Sequence, residues 1–326
     1  MIKRIGVLTS GGDAPGMNAT IRAVVRTGIY NKCQMFGIHR GYDGLISDDI
    51  EEMNLSSVGG IIRSGGTILR TARCKRFLEY DGRKEAYTNF KKHELDALVV
   101  IGGDGSFHGL HELISEFGII GVGLPGTIDN DLYGTEYTIG FDTAMNTALE
   151  AINKIRDTAT SHSRIFVVEV MGRHAGYLAI YSAIASGAEE VFIPEAAENI
   201  QEVCDRIQKG QERGKLSSII IVAEGDEIGG GFAVKDILSK QHPEWDIRVS
   251  ILGHIQRGGS PSATDSLVAS RLGYESVLAI LNGKNDVMVG YQGLDRPVSY
   301  IPLKETWEKK KKIQDDWMHM ARVLAI

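Results

Sequence analysis

Three short apolar runs in the first part of the chain each end in a cluster of glycine and polar residues, and this pattern restricts the fold more than any other feature of the sequence. The runs span residues 4–8, 95–101 and 119–124. They are continuous rather than alternating, as expected for strands that are covered on both faces of a sheet. Each run therefore predicts a buried strand that leads into a tight turn.

A segment with the spacing of an amphipathic helix follows the first predicted strand. Ile21, Val24, Val25 and Ile29 fall on one face of this helix, for which Asn18 is the expected N-cap. The spacing therefore predicts that this apolar face packs against the sheet.

The alternation of strand and helix continues along the chain. A helix is predicted after Asp142, and further strands are predicted at residues 165–170, 218–223 and 249–252. Alternating strands and helices are typical of parallel sheets joined by right-handed crossovers. The sequence therefore predicts an α/β fold whose ligands bind at the carboxyl ends of the strands.

Size and composition restrict the function. A chain of 326 residues is long enough for about two domains. Its net charge of -6 offers no general basic surface for nucleic acid, so an anionic ligand needs a locally basic site. No apolar run is long enough for a signal peptide or a membrane span, so we expect a cytoplasmic protein with neither nucleic acid nor membrane as a partner. The three widely spaced cysteines suit reduced thiols.

Two of the glycine clusters are candidate phosphate-binding turns. They lie at residues 11–13 and 102–106, where glycine lets the backbone approach a phosphate and the following helix offers free N–H groups. Either cluster alone is equally compatible with a tight turn, whereas two together favour phosphate binding. Neither is a Walker motif or a complete dinucleotide fingerprint. Asp104, which is flanked by glycines, is a candidate ligand for magnesium.

The third cluster, PGTIDND at residues 125–131, is a candidate catalytic segment. Two carboxylates and an amide follow the same strand end. In phosphoryl transfer, an aspartate can accept the proton of the attacking hydroxyl. An Asx-rich turn is the less favoured alternative. The spacing does not decide whether Asp129 or Asp131 would be the base.

Basic residues near the predicted strand ends of the second half form the remaining pattern. They are Arg164, Arg173, His174, Arg248, His254 and Arg257. Arginine binds phosphate through two parallel hydrogen bonds, although any one of these residues alone is more typical of a surface ion pair. Their shared position favours an anion site, and Glu224 at another strand end is a candidate acceptor for sugar hydroxyls.

Together these segments resemble the bacterial ATP-dependent 6-phosphofructokinases from Arg4 to about Leu281. The motifs that carry the resemblance are LTSGGDAPGMNATIR (8–22), GGDGS (102–106), PGTIDND (125–131), IGFDTAMNT (139–147), KIRDTATSH (154–162), MGRHAGYLA (171–179), VAEG (222–225) and LGHIQRGGSP (252–261). The resemblance implies transfer of the γ-phosphate of MgATP to the 1-hydroxyl of fructose 6-phosphate, a committed step of glycolysis.

The resemblance also implies an architecture. It predicts two Rossmann-like, three-layer α/β/α domains with largely parallel sheets and the active site in the cleft between them. The larger, ATP-binding domain would comprise residues 1–140 and 256–306. The smaller, fructose 6-phosphate-binding domain would comprise residues 141–255 and 307–326. Family members are homotetramers with active sites shared between subunits.

Roles for individual residues follow from the same resemblance. Asp129 would be the general base, and Thr127, Arg73 and Arg173 would stabilise charge in the transition state. The implied ATP site consists of Gly12, Arg73, Cys74, Gly103, Asp104, Gly105 and Ser106, with Asp104 holding Mg²⁺. The implied substrate contacts are Thr127, Ile128, Asp129, Asp131, Met171, Gly172, Arg173, Glu224, His254, Ile255, Gln256 and Arg257. Arg164 and Arg248 would reach the substrate from a neighbouring subunit.

Family members also carry an effector site, where ADP activates and phosphoenolpyruvate inhibits. The residues implied here are Arg22, Ala23, Val24, Val25, Arg26, Arg156, Gly187, Ala188, Glu189, Arg213, Lys215, Leu216 and Ser217. Relatives commonly place lysine and histidine where Leu216 and Ser217 stand. We therefore expect weaker or altered allosteric control. A second departure, Lys75-Arg76 after Cys74, changes the charge near the nucleotide.

Three alternative functions are less well supported by the sequence. Pyrophosphate-using relatives carry aspartate and lysine where Gly105 and Gly126 stand, so the two glycines favour ATP. A sensor of sugar phosphate and nucleotide would bind without turnover, but the presence of Asp104 and Asp129 counts against it. A dehydrogenase would use the first glycine turn for a dinucleotide, and the missing fingerprint counts against that function.

Overall fold

The first predicted strand and helix are confirmed in the computed structural model, which describes residues 2–196 and 199–325. Strand β1 (Arg4–Thr9) leads into helix α1 (Met17–Tyr30). Ile21, Val24 and Val25 are fully buried on this helix. The apolar spacing therefore placed the buried face of α1 correctly.

The predicted N-cap of α1 is wrong. Gly16 precedes the helix, and Asn18 lies inside it with its side chain almost fully buried. The Asn18 amide donates to the Ser64 carbonyl at 3.1 Å and its oxygen accepts from the Ile68 N–H at 2.7 Å. Asn18 therefore fixes a distant loop rather than the end of its own helix.

The remaining elements alternate between strand and helix until the last two strands and the last two helices. They are β2 (Gln34–Ile38), α2 (Tyr42–Ser47), β3 (Ile50–Met53), α3 (Tyr80–Lys92), β4 (Ala97–Gly102), α4 (Asp104–Phe117), β5 (Ile120–Pro125), α5 (Phe141–His162), β6 (Ile165–Val170), α6 (Tyr177–Ser186), β7 (Glu190–Phe192), α7 (Ile200–Glu212), β8 (Ser218–Ala223), α8 (Gly230–Gln241), β9 (Ile247–Ile251), α9 (Ala263–Leu281), β10 (Val287–Gly290), β11 (Ser299–Pro302), α10 (Glu305–Glu308) and α11 (Asp315–Leu324). Short 3-10 helices lie at Ile61–Arg63, Lys75–Leu78 and Gly253–Arg257.

The chain divides into two compact units. Unit 1 contains the residues up to 128, together with 132–143 and 257–311. Unit 2 contains residues 129–131, 144–256 and the chain from 312 on. The division falls within the first turn of α5, since Thr143 belongs to unit 1 and Ala144 to unit 2.

Unit 1 is built on a seven-stranded sheet with the strand order β11-β10-β5-β4-β1-β2-β3. The five central strands run parallel, and the edge strands β3 and β11 are antiparallel to their neighbours. Leu98 and Val100 of β4 pack with Leu45, Phe90 and Phe107 from helices α2, α3 and α4. Because side chains alternate across a strand, the intervening residues of β4 face the other layer, where α1 packs against α9.

Unit 2 is built on a four-stranded, wholly parallel sheet with the order β7-β8-β6-β9. Its apolar core joins Val167 and Val222 from the strands to Val203 and Ile207 of α7 and to Leu238 of α8. Both units therefore confirm the predicted α/β fold with largely parallel sheets. Within the described part of the chain, no helix is both long enough and apolar enough to cross a membrane.

Candidate active site

The order of strands in unit 1 reverses between β1 and β4. From β1 the chain continues to β2 and β3 on one side, and from β4 it continues to β5 on the other side. At such a reversal the two loops that follow the strands diverge and leave a crevice, which is the usual ligand site of open α/β sheets. The two candidate phosphate-binding turns follow β1 and β4, so they flank this crevice.

Short hydrogen bonds hold the three glycine-rich strand ends of unit 1 together. The Ser10 N–H donates to the Ile101 carbonyl at 2.9 Å, and the Gly126 N–H donates to the Gly102 carbonyl at 3.0 Å. A Cβ atom at Gly102 would lie 2.6 Å from the Ser10 carbonyl oxygen. Glycine at residue 102 is therefore required for this close approach.

Helix α4 presents its first turn at the centre of the crevice. Asp104 is its first residue, and its exposed carboxylate accepts a hydrogen bond from the Gly105 N–H at 2.7 Å. A Cβ atom at Gly103 or Gly105 would meet no described atom within 4 Å. The start of α4 therefore adjoins open space at Gly103 and Gly105, and a helix N-terminus with space beside it suits an anionic ligand.

Two residues that the sequence analysis missed fix the turns of the crevice. The Thr71 hydroxyl donates to the Gly11 carbonyl at 2.7 Å, which ties the segment carrying Arg73 and Cys74 to the first turn. The Tyr42 hydroxyl donates to the Ser106 carbonyl at 2.6 Å. Burial raises the pKa of Tyr42 well above its ordinary value, so this hydroxyl stays a donor. No local pattern marks either residue, because each acts through a partner far away in the sequence.

Arg257 lies against the first glycine turn. Its Nη1 atom donates to the Asp13 carbonyl at 3.0 Å, and a Cβ atom at Gly12 would lie only 2.5 Å from the same nitrogen. The resemblance assigns Arg257 to the sugar phosphate. The structure places its guanidinium beside a turn that is predicted to bind nucleotide.

The PGTIDND segment is held by a neighbouring strand-like stretch. The Thr138 hydroxyl donates to the Thr127 carbonyl at 2.6 Å, and the Ile139 N–H donates to the Pro125 carbonyl at 2.8 Å. Asp129 is only 4% exposed. A carboxylate that follows the end of a strand in this segment is a candidate general base.

The next residues of this segment differ in their surroundings. Asn130 has a positive φ of 53°, while Asp131 is half-buried. Ile128 is fully buried, so its side chain belongs to the core. A substrate contact at Ile128 is therefore limited to its backbone.

In unit 2, the ends of β6 and β8 meet at the same edge of the sheet. The Glu224 carboxylate accepts from the Arg173 N–H at 2.8 Å, and the Glu224 N–H donates to the Val170 carbonyl at 2.9 Å. A Cβ atom at Gly225 would lie 1.6 Å from the Arg173 carbonyl oxygen. Arg173 itself has a positive φ of 51°, so its backbone is fixed by these contacts rather than by local preference.

The remaining predicted substrate contacts of unit 2 fall into two groups. His254 and Ile255 are exposed on the 3-10 helix that follows β9. Met171 and Gln256 are buried, and the Gln256 amide donates to the Gly253 carbonyl at 3.1 Å. The exposed pair is therefore available to a ligand, whereas Gln256 supports the turn.

Arg164 and Arg248 form a separate cluster around Asp246. Arg164 lies 2.7 Å and Arg248 2.8 Å from its carboxylate. The hydrogen bond from Arg164 is the largest cause that lowers the pKa of Asp246. These two arginines lie at the amino ends of β6 and β9, whereas Arg173 follows the carboxyl end of β6.

Comparison with known proteins places this site in a family. The Phosphofructokinase family matches residues 4–280. The chain is 50% identical over 325 residues to the ATP-dependent 6-phosphofructokinase 2 of Bacteroides thetaiotaomicron, covering 100% of this chain and 99% of the relative. It is 51% identical over the full length of both chains to the ATP-dependent 6-phosphofructokinase of Clostridioides difficile.

The chain belongs to the phosphofructokinase family. The resemblance drawn from the motifs is thereby confirmed. Solved structures support the same family. The phosphofructokinase of Saccharomyces cerevisiae superposes on this chain with a TM-score of 0.87 at 38% identity. The match covers 99% of this chain and 48% of the yeast chain. This chain thus spans about half the length of the yeast subunit. The pyrophosphate-dependent enzyme of Marinobacter aquaeolei, at 23% identity and a TM-score of 0.81 over 99% of this chain and 92% of that one, shares the fold.

Several of the residues predicted to bind an effector lie close together in unit 2. The Glu189 carboxylate lies 2.7 Å from Lys215 Nζ and 3.6 Å from Arg156 Nη1. Arg156 also donates to the Gly187 carbonyl at 3.1 Å. Of the other predicted effector residues in unit 2, Ala188 is buried and Arg213 is exposed. Two basic side chains, those of Arg156 and Lys215, therefore lie around one buried carboxylate.

The first departure from the family pattern, at Leu216 and Ser217, directly follows Lys215 of this cluster. Leu216 is 59% exposed. The Ser217 hydroxyl lies 3.2 Å from the Thr160 hydroxyl. The local surface therefore presents an apolar and a neutral side chain where relatives commonly have two basic ones.

The effector residues predicted on α1 belong to unit 1. Arg22 is half-buried and Arg26 is exposed. Ala23, Val24 and Val25 have buried side chains that belong to the core of unit 1. Of the side chains predicted to contact an effector on this helix, only those of Arg22 and Arg26 are therefore accessible.

Proposed function

We propose that the chain is an ATP-dependent 6-phosphofructokinase, which transfers the γ-phosphate of ATP to the 1-hydroxyl of fructose 6-phosphate. The observation that carries this proposal is the junction of three glycine-rich strand ends in unit 1, which puts an open helix N-terminus next to the PGTIDND segment. An open N-terminus suits phosphate groups, and a buried aspartate suits proton abstraction from an alcohol.

In this proposal the crevice of unit 1 binds ATP. The contacts are Gly12, Arg73, Cys74 and Gly103 to Ser106. The N–H groups at the start of α4 bind phosphate oxygens, and Asp104 holds Mg²⁺, which characteristically combines one or two carboxylates with substrate phosphates. The metal, when bound, neutralises charge on the transferring phosphoryl group. The exposed carboxylate of Asp104 at this turn supports the assignment.

The sugar phosphate is bound by residues at the carboxyl edge of the unit 2 sheet. Glu224 accepts hydrogen bonds from sugar hydroxyls, while Arg173 and His254 provide positive charge near the phosphate. Asp131, Met171 and Gly172 complete this set. The distance of Arg164 and Arg248 from this edge supports their contribution from a neighbouring subunit of a homotetramer.

The chemical step is an in-line attack of the 1-hydroxyl on the γ-phosphorus. Asp129 accepts the hydroxyl proton as the attack proceeds. Thr127, Arg73 and Arg173 stabilise the charge on the transferring group. Arg257 beside the first glycine turn adds positive charge where the phosphates of the nucleotide are expected.

ATP rather than pyrophosphate is the donor in this proposal. The space next to Gly105 is open, so an α-phosphate and nucleoside fit where an aspartate side chain would crowd and repel them. The names of the curated relatives support the same donor. The cluster around Glu189 is proposed to bind ADP and phosphoenolpyruvate, with control weakened at Leu216 and Ser217, and the enzyme is proposed to act in the cytoplasm.

The test is a coupled assay of fructose 1,6-bisphosphate formation with ATP or pyrophosphate as the donor. The proposal predicts turnover with ATP and none with pyrophosphate. If only pyrophosphate supported turnover, pyrophosphate rather than ATP would be the donor. Binding of both ligands by calorimetry without turnover would instead establish a sensor.

A further inference from the structure

Helices α5 and α9 begin side by side in unit 1, at a buried carboxylate that has no role in the proposed reaction. This carboxylate is Asp265, in the first turn of α9 and 1% exposed. Its own helix is capped by the Ser262 hydroxyl, which accepts from the Asp265 N–H at 3.1 Å. The spacing Ser-x-x-Asp before an apolar run is a sequence sign of this cap, but it does not reveal what the carboxylate binds.

The Asp265 carboxylate binds the start of the other helix. Oδ1 accepts from the Gly140 N–H at 2.8 Å, and Oδ2 accepts from the Thr143 N–H at 2.7 Å and from the Thr143 hydroxyl at 2.5 Å. Ser262 reinforces the junction, since its N–H donates to the Thr143 hydroxyl at 2.9 Å and its hydroxyl donates to Asp142. Asp265 thus satisfies N–H groups that have no partner inside α5.

The two residues that precede Gly140 in the chain hold the PGTIDND segment. Gly140 follows Ile139, whose N–H donates to the Pro125 carbonyl at 2.8 Å. Thr138, one residue earlier, donates its hydroxyl to the Thr127 carbonyl at 2.6 Å. Asp265 is therefore joined to the backbone of Thr127 through its hydrogen bond with Gly140, the chain from Gly140 back to Thr138, and the hydrogen bond from Thr138. Asp129 follows two residues after Thr127.

We infer that Asp265 and Thr138 are positioning residues for phosphoryl transfer, which hold the backbone of Thr127 and Asp129 in its productive position. This inference rests on the proposed function for the identity of the reaction. Neither side chain is assigned a contact with substrate or nucleotide, and both act through the backbone. A misplacement of a reacting group by about 1 Å can cost about 100-fold in rate, so small displacements of this segment should appear in turnover.

The Asp265→Asn substitution preserves shape while it breaks the junction. An amide offers one accepting oxygen, and its NH₂ group would face a backbone N–H that also needs an acceptor. Thr138→Val removes the second contact with nearly unchanged volume, and Thr138→Ser restores the hydroxyl. Thr306→Val is the matched control, because the Thr306 hydroxyl is similarly buried in unit 1 and donates to the Leu303 carbonyl at 2.7 Å, in helix α10.

The experiment compares steady-state kinetics of the wild type with these variants and with the double variant Asp265→Asn/Thr138→Val. Asp265→Asn and Thr138→Val should each lower kcat by about 10- to 100-fold with the KM for ATP unchanged. Thr138→Ser and Thr306→Val should keep the wild-type kcat. The double variant should be no slower than the slower single variant, because both changes break one series of contacts.

Hydrogen exchange of the backbone amides from 126 to 131 gives a second readout that does not depend on turnover. Asp265→Asn and Thr138→Val should accelerate exchange there more than in β8 of unit 2. Unchanged exchange, a wild-type kcat in Thr138→Val, or additive losses in the double variant would overturn the inference. If Asp265→Asn does not fold, Thr138→Val alone still decides. If the wild type lacks kinase activity, the proposed function fails, while hydrogen exchange still tests the junction.

Discussion

The buried junction at Asp265 also predicts how stability depends on pH. Burial is the largest cause that raises the pKa of this carboxyl group, to about 6, and the nearby Asp142 raises it further. Hydrogen bonds from Thr143 and Gly140 act in the opposite direction without reversing the shift. In the unfolded chain the same group has a pKa of about 3.9. A difference of about two units corresponds to about 3 kcal/mol.

The sign of the effect follows from proton binding. The folded protein holds the Asp265 proton more tightly than the unfolded chain does. The stabilisation from this group is therefore complete below about pH 4 and is lost as the pH rises through about 6. Asp265→Asn does not titrate, so the difference in unfolding free energy between wild type and variant isolates this one group.

Urea unfolding of both proteins at intervals from pH 4 to 8 measures this difference. The wild type should lose about 3 kcal/mol relative to Asp265→Asn across that range, with the change centred between pH 4 and 6. A difference that stays constant with pH would show that the pKa is not shifted. A difference that moves the other way would show that the hydrogen bonds to the carboxylate outweigh its burial, and the reasoning would be refuted.

Three further predictions concern other parts of the molecule. Gly225→Ala places a Cβ atom 1.6 Å from the Arg173 carbonyl oxygen, so it should lower stability by about 3 kcal/mol and raise the KM for fructose 6-phosphate, as thermal unfolding and kinetics would show. Arg83→Met removes donors to the Leu78 carbonyl and the Glu116 carboxylate, and urea unfolding should show a loss of about 2 kcal/mol. Leu216→Lys combined with Ser217→His should strengthen the response to ADP in steady-state kinetics, and an unchanged response would contradict the proposed effect of these departures.

The strands and the turns after them could be predicted because their signals are local. A continuous apolar run followed by glycine and polar residues specifies a buried strand and a tight turn within about ten residues of sequence. The ends of β1, β4 and β5 were found in this way, and the parallel order follows from the alternation with helices. The candidate site could be predicted for the same reason, because it lies at the ends of these three strands.

Contacts between distant residues could not be predicted in this way. Asn18 has the composition of a helix cap, but tertiary contacts with Ser64 and Ile68 place it inside α1. The partners of Asp265 lie more than 100 residues earlier in the chain, so no local pattern could reveal what its carboxylate binds. Local patterns report what a residue does for its own element, and the fold decides what it does for another.

The ion pairs of two arginines could not be predicted for a related reason. Arg164 and Arg248 lie far apart in the sequence, and both bind the carboxylate of Asp246, which no local pattern marks. Similarly, Ala23 to Val25 lie between two accessible arginines in sequence, while the helical repeat turns them into the core.

The central claim is that Asp129 accepts the proton of the sugar hydroxyl during transfer from ATP. The most direct measurement is the coupled assay of fructose 1,6-bisphosphate formation on wild type and Asp129→Ser, with the KM for each substrate determined separately. The account predicts ATP-driven turnover in the wild type and a loss of at least about 100-fold in kcat in the variant, with both substrates still bound. A variant that keeps the wild-type kcat and only weakens substrate binding would contradict the assignment of the base.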